Sequence, residues 1–433
     1  MSVAVITILT ITFMFVLFLS GMRIGLAMAF AGLIGYALLV DVRAGLDLMA
    51  LDVFGTFFSY TYISIPLFVF MGQIAARSGI AKRVFDCTHK FIGHVPSGLA
   101  IGTLFAGTLF KAVCGSQFAT TATFATIALP EMDRYNYDKR LSTGIVSVVG
   151  TLGGLIPPTI SLIIYAILAD VSIGKMFLAG IFPGLLLALS FGGTLAVWCK
   201  INPALGPRSQ KFSWKARFAS LPSVLWVGAI FLVVMGGLVG GFFTPTEAGG
   251  IGAGFVCLVS FVKKDISLKE LAEAAKESLC ISAMIIVLLV GATILGHFFT
   301  VTRSTQVVSD VLTNLHINRY LVLTLILLVY LIGGEFIEDT AFFILATPIF
   351  APIAAHLGFN LVHFGILITA TIAIGLIIPP MAMVVFLVAG IAKVPISLVY
   401  KGIYPFLIGM TICVIILMFF PQISTWLPEL FMK

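Results

Sequence analysis

The chain is 433 residues long, 60% of them hydrophobic and only 10% charged, against about 25% charged in soluble domains. That excess excludes a water-soluble fold. Stretches of roughly 20 apolar residues recur along the chain, which predicts an all-α polytopic membrane protein and not a β-barrel of ~10-residue alternating segments. The formal net charge of +7 sits in short loops, where it marks membrane orientation and not a nucleic-acid surface.

In chain order, hydropathy predicts spans at 3–20, 24–40 and 60–76. Residues 1–20 carry no basic leader and no small-residue cleavage site, so the first span is expected to be retained. Residues 80–92, IAKRVFDCTHKFI, are expected to lie along the membrane surface as an amphipathic helix. The apolar stretch 97–130 is interrupted at Cys114-Gly115-Ser116-Gln117, which predicts two half-length helices that enter from one face and return to it. After the polar loop Glu131 to Arg140, segment 141–169 crosses with a break at Gly150 to Pro158, and 176–198 returns to a basic connector, Lys200 to Arg217.

The second half repeats the plan. Spans are predicted at 221–240, 246–262 and 278–299, with amphipathic segments at 267–277 and around 304–316. A second broken pair over 320–355 is interrupted at Gly333 to Thr340, segment 361–391 is broken at Gly375 to Pro380, and 402–420 is the last span. With the N-terminus outside, nineteen of the 25 Lys and Arg residues fall on the inner face, five on the outer, and Lys111 lies within the first hairpin. Positive charge marks the cytoplasmic side, so both termini are placed outside and the two hairpins enter from opposite faces.

The run from Gly150 to Pro158, GTLGGLIPP, matches Ile372 to Pro380, IAIGLIIPP, at an offset of 222 residues. The same offset lays Pro130 on Pro352, Gly153 on Gly375, and the tip Ser116-Gln117 on Glu338-Asp339. Gly144 and Gly365 lie 221 apart, which predicts a one-residue indel in the intervening loop. Paired breaks in two halves of opposite direction are the signature of an inverted-repeat transporter. Proline removes an amide donor and glycine weakens a helix. The carbonyls freed there cannot stay unpaired in hydrocarbon, so they line a cavity or hold a cation such as Na+. The helix N-terminus after Gly115-Ser116 offers unpaired N–H groups to an anion.

Lys111, one turn before the first tip, has two readings. It is a counter-charge for a substrate carboxylate, Glu335 or Glu338, or it snorkels its stem into a water-filled vestibule. Glu335, Glu338 and Asp339 either attract Na+ or form a hydrated mouth. Thr244-Pro245-Thr246-Glu247 reads as a capping box with proline at the first helical position. The sequence holds no P-loop, GxSxG or HExxH, and its six cysteines lack metal-ligand spacing, so neither an enzyme nor an ATP-driven pump is expected. A passive channel or an intramembrane enzyme is the alternative to a carrier.

Several segments together resemble the large membrane subunit of TRAP transporters, the tripartite ATP-independent periplasmic systems, over essentially the whole chain. They are Gly115-Ser116; Leu129-Pro130-Glu131-Met132; the GTLGGLIPP run; Thr244 to Ala248; Gly334 to Glu338 followed by Pro348 and Pro352; Gly358 to Gly365; and Gly375 to Pro380. The resemblance implies an elevator-type, Na+-driven importer in the bacterial inner membrane. Its implied partners are a small four-helix membrane subunit and a periplasmic substrate-binding protein that delivers an organic acid, such as sialic acid or a C4-dicarboxylate.

It further implies one Na+ between Ser116, Gln117 and Gly150, Thr151, Gly153. Another is implied among Gly334, Glu338, Thr340, Thr369, Ala370, Gly375 and Pro379. An anionic substrate is expected near Lys111, Ser116, Gln117, Thr159 and Asp339. The corresponding division is scaffold and first arm (1–96), transport domain (97–175), scaffold, connector and second arm (176–317), transport domain (318–395) and C-terminal helix (396–433). Two positions depart from the family pattern. Asn136 replaces a glycine, and asparagine tolerates positive φ; Ile378 replaces a common threonine and leaves only backbone carbonyls at that point.

Overall fold

The computed structural model describes residues 2–304, 306–307, 318–380 and 382–432. All regular structure among them is helical. The first half comprises α1 (Val3–Leu19), α2 (Ile24–Leu39), α3 (Val42–Phe58), α4 (Ser64–Arg77), α5 (Ile80–Ile92), α6 (Gly98–Cys114), α7 (Gln117–Arg134), α8 (Lys139–Thr151), α9 (Ile160–Leu168) and α10 (Ile173–Ile201). The second comprises α11 (Trp214–Val239), α12 (Pro245–Val262), α13 (Leu268–Thr302), α14 (Arg319–Phe336), α15 (Asp339–His356), α16 (Leu361–Gly375), α17 (Met383–Ala392), α18 (Ile396–Phe419) and α19 (Gln422–Phe431). Seven described helices, α10 to α15 and α18, are long and apolar enough to cross a membrane. The chain is a multi-pass membrane protein.

The repeat is more regular than the sequence suggests. The ends of α6 and α14, the starts and ends of α7 and α15, and the starts of α8 and α16 are all 222 positions apart. The one-residue indel is therefore not there. Gly144 and Gly365 are not equivalents: a Cβ on Gly144 would stand 2.3 Å from the Gly402 oxygen, and one on Gly365 would stand 2.3 Å from the Tyr165 ring. Asn136 has φ 57°, so it does take the left-handed conformation expected of it.

Two elements differ from expectation. Helix α3 falls where no span was predicted, because Arg43, Asp47 and Asp52 dilute its apolar pattern; Asp41 starts it by accepting from the Arg43 and Ala44 amides at 2.9 and 3.3 Å. Residues 267–277 form no separate arm. They are the opening turns of α13, nucleated by a Ser267–Glu270 capping box and continued to Thr302 without a proline. The first-half counterparts α3 and α4 are instead bent by 51°. The amphipathic segment around 304–316 lies largely outside the described residues.

Helix α10 spans 29 residues, about 43 Å at 1.5 Å per residue, and its two ends locate the hairpins. The base of the first lies past its C-terminal end, where the Ser97 amide donates to Gly206 O (2.8 Å) and the Asp138 amide to Leu205 O (3.0 Å). The base of the second lies at its N-terminal end, where Met176 packs on Gly365 and Tyr165 donates to Leu361 O at 2.6 Å. The hairpins therefore enter from opposite ends of the bundle.

Helices α10 and α18, grouped by sequence with the scaffold and as a separate C-terminal helix, pack substantially on the hairpins and broken helices instead. Glycine faces allow this: a Cβ on Gly402 would lie 2.0 Å from Arg140 O. A second group of packed helices contains α1 to α4, α12 and α13, with α2 crossing α13 where Gly25 and Gly291 meet backbone to backbone. Helix α4 reaches across, and a Cβ on Gly72 would fall 2.1 Å from Cys114 O. The Arg83–Asp265 ion pair (2.7 Å) ties α5 to the α12–α13 turn.

Candidate functional site

The first hairpin tip turns through a left-handed residue, whereas the second turns through ordinary extended backbone at Ile337 and Glu338. Helix α6 stops because Gly115 takes φ 63°, and a Cβ there would stand 2.9 Å from Pro158 O. Ser116 then caps α7, its hydroxyl accepting from the Ala119 amide at 3.3 Å. In the second half α14 runs on to Phe336, leaving a two-residue tip as in the first half. Glu338 caps α15 by accepting from the Ala341 amide at 2.8 Å.

The broken helices stop beside these tips. Helix α8 ends at Thr151, passes through a 3-10 turn (Leu152–Gly154) and restarts at Ile160. Thr159 donates to Gly115 O at 3.4 Å, tying the break to the tip. Helix α16 ends at Gly375 and α17 starts at Met383. Both the Pro157-Pro158 and Pro379-Pro380 peptides are cis.

This arrangement sorts helix ends by sign. The N-terminal turns of α7, α9, α15 and α17 line one cavity of about 670 Å³ through Ser116, Gln117, Ile160, Ser161, Asp339, Thr340 and Met383. Helix N-termini carry partial positive charge and free N–H groups. Those of α9 and α17 have no side-chain cap. Four such ends on one cavity suit an anionic group. The same lining includes Gln73, Glu338 and Glu277, the last paired with Arg77 at 2.6 Å.

The C-terminal ends pair separately, α6 beside α8 and α14 beside α16. Such ends are negative and favour a cation. At the second junction a Cβ on Gly375 would lie 3.1 Å from Leu331 O and 3.8 Å from the Gly334 carbonyl carbon. Bare backbone thus faces bare backbone. Thr369 donates to Gly365 O (2.7 Å), Ala370 is buried in α16, and Pro379 is exposed at the break. Glycine and carbonyl groups are the chemistry that a helix C-terminus offers to a small cation.

The first junction is different. Lys111 is fully buried, and its Nζ donates to Ser116 O at 2.6 Å. A Cβ on Gly153 would fall 1.6 Å from that nitrogen, and one on Gly150 would fall 1.8 Å from Thr121 Oγ1. Lys111 therefore points into the α6–α8 junction. It does not line the large cavity, and its described acceptor is a carbonyl, not Glu335 or Glu338. Full burial also removes the snorkelling reading.

Between the tips lies a void of about 10 Å³ lined by Gln117, Ser161, Asp339, Thr340 and Thr369. That is about the space of one water or ion. Gln117 Oε1 and Asp339 Oδ1 are buried there without a hydrogen-bond partner. Buried acceptors are normally satisfied, so two orphans beside one small hole mark a place for a bound species. Sequence reasoning missed Ser161 and Gln73. The position of Ser161 in the first turn after Pro157-Pro158 was a usable signal, whereas Gln73 is brought in only by the packing of α4.

A family model for the tripartite ATP-independent periplasmic transporter, DctM component, matches residues 11–423. The chain belongs to that family. It is 33% identical over 384 residues to the C4-dicarboxylate TRAP transporter large permease protein DctM of Pseudomonas aeruginosa, covering 88% of this chain and 89% of that one. It is 28% identical over 422 residues to the sialic acid TRAP transporter large permease protein SiaM of Vibrio cholerae, covering 96% and 97%. Among solved structures, the YdaH transporter of Alcanivorax borkumensis shares the fold, with a TM-score of 0.61 and 14% identity over 90% of this chain and 91% of that one. As a DctM-family permease subunit the chain is a transporter component and not an enzyme. The matched span contains both hairpins, both broken helices and the capping box at Thr244, where Glu247 Oε2 accepts from the Thr244 amide at 2.8 Å.

Proposed function

We propose that this chain is the large membrane subunit of a Na+-coupled importer of organic acids, working by an elevator mechanism. The observation that carries the proposal is the convergence of four helix N-termini on one cavity, with paired helix C-termini behind it. The first suits a carboxylate and the second a cation, at neighbouring points of the same group of helices. The relatives named for C4-dicarboxylate and sialic acid share the carboxylate as their common group. A periplasmic binding protein would deliver the acid and a small four-helix subunit would complete the membrane unit, with the bacterial inner membrane as location and both termini periplasmic.

Gly334, Glu338, Thr340, Thr369 and Gly375 would hold Na+. Bound there, the ion neutralises two helix ends. Glu338 then fixes the start of α15, so that its N–H groups face the acid. Coupling requires that Na+ favour one state over the other, and an ordered second tip supplies that difference. The moving body is the hairpins and broken helices with α10 and α18, and its track is the face of α4 and α13.

Reconstitution of the chain with its partner subunits in proteoliposomes tests this. A panel of carboxylates should accumulate against a gradient only when Na+ is higher outside. Accumulation indifferent to Na+ would remove the coupling, and failure of counterflow would favour a channel.

A further inference from the structure

The two halves align position for position at the tips, yet one junction holds a charge that the other lacks. The position 222 residues after Lys111 is Gly333, one turn before the end of α14 as Lys111 is one turn before the end of α6. At the first junction the fully buried Lys111 Nζ is bonded to the tip carbonyl of Ser116 and presses on Gly153, where even a Cβ would collide with it. An ion ligated by Ser116 O and the backbone at Gly153 would need the space that this nitrogen fills.

We propose that the ammonium of Lys111 takes the place of the first Na+, leaving this chain with a single Na+ site, at the α14–α16 junction. This deepens the Na+-coupled reading and rests on it. The chemistry is conservative. Two helix C-termini and a tip carbonyl present negative potential at a buried point, where an unbalanced charge is costly, and a tethered cation answers it as a free one would. The consequence is functional. A tethered cation cannot leave on either side of the membrane, so the first tip stays ordered throughout the cycle and only the second responds to Na+. Each turnover then moves fewer ions than a cycle with both junctions open to Na+.

The test is equilibrium binding of radioactive Na+ to the purified complex of large and small subunits, a readout independent of transport. One ion per large subunit is expected. Lys111→Ala, which empties the junction, should raise the count to two, and Lys111→Arg, which keeps a cation there, should leave it at one. Two ions on the unaltered protein would overturn the proposal while leaving Na+ coupling intact; none would overturn both. A folded Lys111→Ala protein that still binds one ion would also overturn it. Should that variant fail to fold, the count on the unaltered protein still decides.

Discussion

Gly375, the last residue of α16, lies so close to Leu331 near the end of α14 that a Cβ would stand 3.1 Å from the Leu331 carbonyl oxygen. That spacing holds two helix C-termini together, and it is tighter than ordinary van der Waals contact. Gly375→Ala should push the ends apart by a few tenths of an ångström without unfolding either helix. The half-saturating Na+ concentration for uptake is expected to rise about tenfold, which corresponds to ~1.4 kcal/mol. An unchanged Na+ dependence in a normally assembled complex would show that no cation uses this junction.

Asp339 gives a prediction with opposite signs in two assays. Its Oδ1 is buried without a partner beside Gln117 Oε1, and an unsatisfied buried polar group costs about 1–3 kcal/mol. Asp339→Asn relieves part of that cost when the void is empty, so the ligand-free protein should unfold at an equal or higher temperature. The same change removes an acceptor from the bound species, so stabilisation by Na+ plus substrate should be lost and uptake should fall at least about tenfold, ~1.4 kcal/mol. A variant with normal ligand-induced stabilisation would relegate Asp339 to the lining of an inert hole.

The scaffold crossing is open to a stability test. A Cβ on Gly32 would stand 2.8 Å from the Leu295 Cα and amide nitrogen, and main chain cannot turn aside as a side chain can. Gly32→Ala should cost about 1–3 kcal/mol by overpacking. Gly55→Ala, on α3 with nothing within 4 Å, should be neutral or stabilising by up to about 1 kcal/mol from helix propensity. Thermal unfolding of the purified protein separates them, and equal effects would contradict the close crossing.

Local punctuation explains what was legible in the sequence. Gly115, the Pro-Pro pairs and the cap Ser116 act on their own neighbours, so the first tip and the start of both breaks could be placed to within a residue or two. Helix α3 was hidden by its charges, and the continuity of α13 by a change from amphipathic to apolar pattern within one helix. The direction of Lys111 was not legible, because Gly153 stands on another helix and admits the amine only through its missing side chain. Likewise the attachment of α10 and α18 to the hairpins depends on glycine contacts between elements remote in sequence.

His89 links the α5 arm to the basic connector and should make that contact sensitive to acid. Its ring is buried against Phe85, Tyr135 and Phe212, and Nε2 lies 2.9 Å from Ser209 Oγ. Burial lowers its pKa below the ordinary 6.5; Glu131 and Asp86 oppose the shift, while Arg134 and Lys90 add to it. The folded state therefore prefers the neutral ring. Its contribution is complete above about 6.5, the unfolded value, and is lost as pH falls through the lowered folded value. The Ser209 amide, which donates to Gly93 O at 2.9 Å, reports this directly. Corrected for intrinsic exchange, its protection should fall between pH 7.5 and about 5, and His89→Gln should abolish the difference. Equal protection at both pH values would mean that the ring is charged or free in the folded arm.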